Sequence, residues 1–287
     1  VGFELQRALA PLGEIVAVAR AECDLADAAA IRDLIRKVKP GVIVNAAAYT
    51  AVDKAEADTA TAAAVNARAP GVLGEEAARL GAWVVHFSTD YVFDGAKRAA
   101  YVEEDAANPQ SAYGRSKREG ELALQASGAR HLILRSSWVV GAHGNNFAKT
   151  ILRLAAEREQ LNVVADQFGV PTSAALLADL TAQLVRQVQL QGPDQFAFGL
   201  YHVAPAGETN WHAYACYVIG EALRAGKQLR VKPENIKAIT TAEYPTPARR
   251  PANSRLDTTR FRQAFGLHLP SWQSGLQHIL EQIIRVC

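Results

Sequence analysis

A chain of 287 residues with 49% hydrophobic side chains can bury a substantial core, as one large domain or two coupled ones. Its formal net charge is +2, from 31 basic and 29 acidic residues, so no strong field argues for nucleic acid or an anionic membrane, and an anionic ligand must be met by local basic residues. Cys23, Cys216 and Cys287 stand in no metal-ligand spacing and give no disulfide framework; with no bilayer-length apolar run and no signal peptide at the start, the expected location is the reducing cytoplasm.

The chain opens on an amphipathic helix from Gly2 to Leu12, ended by Pro11-Leu12-Gly13, and Glu14 to Val18 then reads as a parallel strand. At the end of such a strand, dinucleotide folds place an acid for a ribose 2′-hydroxyl or an arginine for a 2′-phosphate; here stand Ala19 and Arg20. Arg20 reads either as that arginine or as a solvated surface residue. Asp24-Leu25-Ala26-Asp27 has the chemistry of a cap for a helix over Ala28 to Val38. Val42-Ile43-Val44-Asn45 runs as a buried strand into Ala46-Ala47-Ala48, where small side chains permit close approach of a flat ligand or tight packing of helix on sheet. From Val52 an alanine-rich helical region extends to Leu80.

The segment Trp83-Val84-Val85-His86-Phe87 is a buried strand by composition, and it breaks into Ser88-Thr89-Asp90. Polar residues at the carboxyl end of a parallel strand are candidates for chemistry. Tyr113 and Lys117 follow on a helix-forming stretch, spaced to share one helical face. A free tyrosine ionises near pH ~10, and a neighbouring ammonium favours its phenolate, so this pair with Thr89 forms the Ser/Thr-Tyr-Lys set of a carbonyl reductase. Y-x-x-x-K alone arises by chance on many helices; S-T-D-Y-V-F-D-G upstream gives it weight.

Leu132 to Arg135 is a further strand ending in Ser136-Ser137-Trp138, and Gly141 to Asn146 forms a loop before a helix from Phe147 to Glu159. Asn145 and Asn146 offer hydrogen bonds to a diphosphate or sugar, with helix capping by Asn146 as the competing reading. Asp166 to Thr172 is a loop, Ala174 to Gln189 a helix, Gly199 to Val203 a short strand, and Thr209 to His212 the start of a helix to Ala225. His202 and His212 lack a third ligand at metal spacing and read as structural. Tyr244 to Pro251 is irregular because its three prolines deny it a ladder or helix, and its adjacent Arg249 and Arg250 suit a nucleotide diphosphate or a solvated surface.

These motifs, together with V-I-V-N-A-A-A-Y-T-A-V-D-K-A-E, Y-G-R-S-K, R-S-S-W-V, G-N-N-F-A-K-T, D-Q-F-G-V-P-T and Y-P-T-P-A-R-R-P, resemble the extended short-chain dehydrogenase/reductase family along most of the chain. The alternation of apolar strands and amphipathic helices already supports an α/β, doubly wound parallel sheet. The resemblance implies a Rossmann-like dinucleotide domain over residues 1–150 and a smaller, mainly substrate-binding lobe over 151–287, some of whose segments return to the first. Gly2 resembles the last glycine of the family's G-x-x-G-x-x-G turn, so the resemblance sets the opening strand and most of that turn ahead of Val1.

The implied activity is hydride transfer from NADPH, or NADH, to the 4-keto carbon of a nucleotide sugar; Ala19 in place of an aspartate favours NADPH. Catalysis would fall to Thr89, Tyr113 and Lys117, with Tyr113 giving the proton and Lys117 holding the nicotinamide ribose and lowering the Tyr113 pKa. Gly2, Arg20, Asp24, Leu25, Ala47, Ala48, Tyr49, Thr50 and Phe87 would line the cofactor, and Asp90, Trp138, Asn145, Asn146, Gln167, Arg249 and Arg250 the sugar nucleotide. Members of this family form homodimers through magnesium held by glutamates; Glu4 is present, but Glu281 is displaced and Ala175 supplies no oxygen, so the reading assigns no metal site. The same resemblance extends to nucleotide-sugar epimerases and to a non-catalytic partner-binding protein, the β subunit of methionine adenosyltransferase.

Overall fold

The structure, a computed structural model, describes residues 1–285; Cys287 lies outside them. Its centre is a sheet of four parallel strands in the order β1 (Val42–Asn45), β2 (Trp83–Thr89), β3 (Arg130–Ser136), β8 (Gly199–His202). Registers such as Val85 opposite Val44 and Leu132 fix which side chains share a face. Because successive strand residues point to opposite faces, Val84 and Ile133 pack with Ala77 and Leu124 on one side, while Trp83, Val85, Leu132 and Leu134 pack with Leu5, Leu9, Leu177 and Leu184 on the other.

The helices that cover these faces follow from local chemistry. On one face lie α5 (Ala69–Leu80) and α6 (Ala112–Ala126); on the other lie α1 (Gly2–Leu9), α8 (Ala174–Gln191) and α10 (Thr259–Phe265). Helix α2 (Ala28–Val38) starts where Asp27 accepts from the amides of Ala29 and Ala30, and it buries Ile31 and Ile35 beside α5. The alanine-rich region is not one helix: α3 (Val52–Ala55), α4 (Thr59–Ala63), a π-helical turn over Ala64–Arg68 and α5 divide it. Asp58 caps the second piece, and Pro70 at the start of α5 lacks the amide an uninterrupted helix needs.

Glu14 to Val18 does not form the expected strand. A strand exists only where a neighbour completes its ladder; β1 is the sheet's outer strand among the described residues, and Ile15, Val16 and Val18 remain exposed.

A second apolar core gathers α7 (Phe147–Glu157), α9 (Trp211–Arg224) and α11 (Trp272–Arg285) around Tyr214 and Trp272. It also holds strands β5 (Leu161–Val164) and β10 (Ile236–Ile239), which pair in parallel. Two short pairs connect this region to the sheet: β4 (Val139–Val140) with β7 (Thr172–Ser173), and β6 (Phe168–Gly169) with β9 (Thr209–Asn210). Helix α7 ends two residues before the expected Glu159. His212 bonds the Ile236 carbonyl at 2.8 Å and His202 meets the Tyr101 carbonyl at 3.0 Å, so both hold backbone.

Helix α6 lies unusually close to its neighbours because two of its residues lack a side chain. A Cβ on Gly114 would collide with the Tyr91 carbonyl oxygen, and one on Gly120 with that of Asn66. Gly120→Ala should therefore lower stability by about 1–3 kcal/mol, despite alanine's better helix propensity. Urea denaturation checks this, and a midpoint at or above the parent's would show the helix free to move outward.

Candidate active site

The carboxyl end of β2 turns sharply. Thr89 accepts the Tyr91 amide at 3.2 Å, which caps a single 3₁₀ turn over Asp90–Val92, and donates to Asp90 Oδ1 at 3.1 Å. Opposite it, Ser111 caps α6 through the Gly114 amide at 3.1 Å, placing Tyr113 in the helix's first turn. The Tyr113 phenol is in hydrogen-bond contact with Thr89, and its ring meets Tyr91 edge-on at 5.5 Å. Two segments far apart in sequence thus bring Thr89, Asp90 and Tyr113 into one buried group.

Lys117, one turn on, is 1% exposed. Its Nζ donates to the Phe87 carbonyl at 2.6 Å and lies 3.1 Å from His86 Nε2. The expected lowering of the Tyr113 pKa by Lys117 is not what this geometry produces. Burial pushes the Tyr113 phenol upward, with Asp90 and Tyr91 adding to the rise against the Thr89 hydrogen bond, and Lys117 has no part in the shift. Tyr113 therefore stays a neutral phenol, the form that can give a proton. Lys117 falls to about 8 because burial disfavours the ammonium more than Glu121 favours it.

Asp90 is buried with Oδ2 lacking a hydrogen-bond partner. Burial raises its pKa to about 6, against hydrogen bonds from Ser254 and Thr89.

On the other wall, Trp138 sits in the left-handed region at φ 47° and stacks on Trp211 with ring centroids 3.8 Å apart. Gly169 lies beneath it; a Cβ there would stand 2.7 Å from the indole. Gln167 accepts from Trp211 Nε1 at 3.1 Å and donates to Thr241 at 3.1 Å, so its amide braces this wall. Asn146 caps α7 through Lys149 N at 3.1 Å and donates to the Gly141 carbonyl at 2.7 Å, which realises the capping alternative; Asn145 beside it is exposed. Arg250 pairs with Asp53 at 3.0 Å and bonds Tyr91, while Arg249 is exposed.

The expected cofactor residues gather at the outer side of the sheet. Ala47 and Thr50 are exposed and Ala48 and Tyr49 half-exposed at the end of β1; Asn66 holds this loop, accepting the Tyr49 amide at 2.8 Å and donating to Ser116 at 3.1 Å. Arg20 is paired with Asp24 at 3.1 Å, and Leu25 packs against α2. Val1 offers no side-chain cap to α1. Small side chains at the end of β1 and an exposed arginine fit a dinucleotide. Sequence reasoning passed over Asn45, Asn66, His86 and Trp211; polar or large side chains at a strand end or inside an alanine-rich helix were the only signal. Among the described residues no cluster of His, Cys, Asp or Glu is placed to hold a metal, and no helix is long and apolar enough to cross a membrane.

Compared with known proteins, residues 1–285 match the family described as RmlD substrate binding domain. The dTDP-4-dehydrorhamnose reductase of Shigella flexneri is 50% identical over 99% of this chain and 94% of its own length, and that of Escherichia coli strain K12 is 49% identical over the same shares. Among solved structures, the dTDP-4-dehydrorhamnose reductase of Bacillus anthracis in complex with NADP superposes with a TM-score of 0.88 at 31% identity, covering 98% of this chain and 95% of that one.

The raised Asp90 pKa has a sign that can be read in stability. A carboxyl whose folded pKa is raised stabilises the fold at acid pH, and that contribution is lost as pH rises through about 6. Asp90→Asn should therefore be more stable than the parent by about 2 kcal/mol at neutral pH, with the gain vanishing towards pH ~4. Thermal unfolding at the two pH values checks this; an equal difference at both would show that Asp90 ionises freely.

Proposed function

The chain belongs to the RmlD substrate-binding-domain family, and from that premise we propose residue roles for the reduction of dTDP-4-dehydrorhamnose to dTDP-rhamnose. The observation that carries this reading is the buried convergence of Thr89, Tyr113 and Lys117 at the end of β2, in a chain matched along its whole length by reductases of that substrate. NADPH, when bound, supplies the hydride for the keto carbon.

The residues of this chain do the rest. The amides at the start of α1 would meet the pyrophosphate, Arg20 a 2′-phosphate, and the Ala47–Thr50 loop with Phe87 the ribose and nicotinamide half. Tyr113 gives its phenolic proton to the carbonyl oxygen, and Thr89 donates a hydrogen bond to the same oxygen. Lys117 holds the nicotinamide ribose. Asp90 faces the sugar, the Trp138–Trp211 stack forms the wall against which it lies, and Asn145 and Arg249 are free to reach the diphosphate. In this division, residues 1–150 chiefly hold the cofactor and 151–287 chiefly the substrate, with α8, β8 and α10 returning to the sheet.

For assembly we propose a homodimer that needs no magnesium. Glu4 is buried and paired with Arg7 at 3.4 Å, and Ala175 supplies no ligand. Sedimentation velocity should give the same species in magnesium and in chelator; a dimer that forms with magnesium alone would overturn this.

The reaction is tested by mixing purified protein with NADPH and dTDP-4-dehydrorhamnose and following nicotinamide absorbance. Stoichiometric loss of NADPH with formation of dTDP-rhamnose is expected. Sugar interconversion without net oxidation would indicate an epimerase, and NADPH binding without turnover a binding subunit. Tyr113→Phe should retain NADPH affinity while turnover falls about 10²-fold or more, as for loss of a general acid.

A further inference from the structure

Tyr113 stands in the first turn of α6, one residue after Ala112, whereas the contacts that hold the body of that helix, at Lys117 and Glu121, lie one and two turns further in. The first amides of a helix have no partner within it, so a residue placed there keeps its position only if something outside supplies one. Ser111 does this for the Gly114 amide. For the Ala112 amide it is Glu56, at the end of α3 and 56 residues away in sequence, which accepts through Oε1 at 2.8 Å. Its other oxygen, Oε2, lies 3.9 Å from Arg115 in the same turn of α6. A carboxylate at this end of a helix also meets the favourable end of its dipole.

One helical turn before Glu56 stands Asp53. It accepts the Ala248 amide at 3.2 Å on Oδ1 and Arg250 at 3.0 Å on Oδ2, which holds the proline-rich segment against the first lobe. Arg250 in turn donates to the Tyr91 hydroxyl, and the Tyr91 ring meets that of Tyr113 edge-on at 5.5 Å. Between the two acids, Ala55 is fully buried in the small apolar cluster that includes Tyr113, with Val52 and Tyr91 packed against it. Helix α3 thus reaches the surroundings of the tyrosine by three routes: the backbone before it, the ring beside it and the apolar cluster that holds it.

We propose that Glu56 and Asp53 are positioning residues for Tyr113: Glu56 fixes the helix start that carries it, and Asp53, through Arg250 and Tyr91, fixes the side of its ring. Neither acid bonds the phenol itself, whose own hydrogen bond is to Thr89, so both act through other groups. The inference rests on the reading of Tyr113 as the group that gives the proton. Such a transfer needs the phenol within hydrogen-bond reach of the carbonyl oxygen, and a displacement of about 1 Å costs on the order of 10²-fold in rate. Helix α3 also follows directly on the Ala47–Thr50 loop, with the Val52 amide bonded to the Thr50 carbonyl at 2.9 Å. The residues proposed to meet the cofactor and those that seat the tyrosine therefore form one continuous piece of chain.

Two measurements test the proposal, and the first compares turnover in folded variants. Glu56→Ala should lower kcat about 10-fold while the KM for the sugar nucleotide and the affinity for NADPH stay within about twofold, and its solvent deuterium isotope effect on kcat should rise because proton transfer has become slower. Glu56→Gln, whose amide oxygen still accepts the Ala112 amide, should recover most of the loss. Asp53→Ala should show the same division, with kcat affected rather than KM. A folded Glu56→Ala with the parent's kcat and isotope effect, a Glu56→Gln as impaired as the alanine variant, or an Asp53→Ala that raises KM alone would overturn the proposal. A parent that reduces no sugar would instead overturn the reading on which it rests, and the second measurement then still decides, because it needs no turnover. NMR of ring-labelled tyrosine in the cofactor-free protein should show the Tyr113 signals, displaced by the edge-on Tyr91 ring, shifting in Glu56→Ala and in Asp53→Ala and returning in Glu56→Gln. Tyr113 signals unchanged in both alanine variants would overturn the proposal whatever the activity of the chain.

Discussion

Helix α6 brings two charged groups, Lys117 and Glu121, into the interior of a parallel sheet, and the site stands or falls with their being met there. Glu121 is fully buried and closed on both oxygens: Arg135 reaches it from β3 at 2.7 and 2.8 Å, Ser88 from β2 at 2.6 Å and Arg118 from its own helix at 2.8 Å. Lys117 is closed by the Phe87 carbonyl and His86. An unmet charge in such a place costs several kcal/mol, so these contacts admit little freedom in how α6 lies on β2 and β3. Gly114 and Gly120 permit the close approach that the short bonds require. This attachment fixes where α6 presents Tyr113, and the contacts of the phenol with Thr89 and of its ring with Tyr91 complete its placement.

The electrostatics of the group suit reduction. A base drawing a proton from an alcohol would need Tyr113 as phenolate, which calls for positive charge close by. Here burial and the neighbouring Asp90 act in the opposite direction, and Lys117 is engaged with the strand. What the site stores is a neutral acid in a dry setting, next to a threonine that can share the load on the developing oxygen charge. Asp90, poised near pH ~6 by burial, adds a carboxyl whose charge responds to what is placed beside it.

The opposite wall is rigid by different means. Trp138 adopts a backbone conformation that non-glycine residues seldom take, and it is held there by the stack on Trp211, by Gly169 beneath and by the Trp138 carbonyl accepting from Thr172 N at 3.2 Å. Gln167 then locks Trp211 to Thr241. Arg250, bridging Asp53 and Tyr91, ties the proline-rich segment to the first lobe. A wall built in this way has a fixed shape, and in the reading proposed above the sugar lies against it.

Much of this was legible in the order of residues. Apolar runs ending in Ser-Thr-Asp or Ser-Ser-Trp announced strand ends, the Tyr113–Lys117 spacing announced a shared helical face, and Asp27 and Asn210 stood at the starts of helices. These are local properties, set by backbone sterics and by neighbours within a turn or two. Tertiary structure alone decided the remainder. Glu14 to Val18 has a strand's composition, yet a strand is made by its neighbour; the alanine-rich stretch has a helix's composition, yet the packing of Asn66 against the loop and α6 accompanies its division into shorter pieces. Asn146 was equally suited to a ligand or a cap until the Lys149 amide was placed against it. The surroundings of Lys117 were hidden for the same reason: His86 meets it across 31 residues of chain and Asn45 meets His86 across 41, through sheet register and helix packing, and no periodicity within a segment encodes which distant donor will face which acceptor.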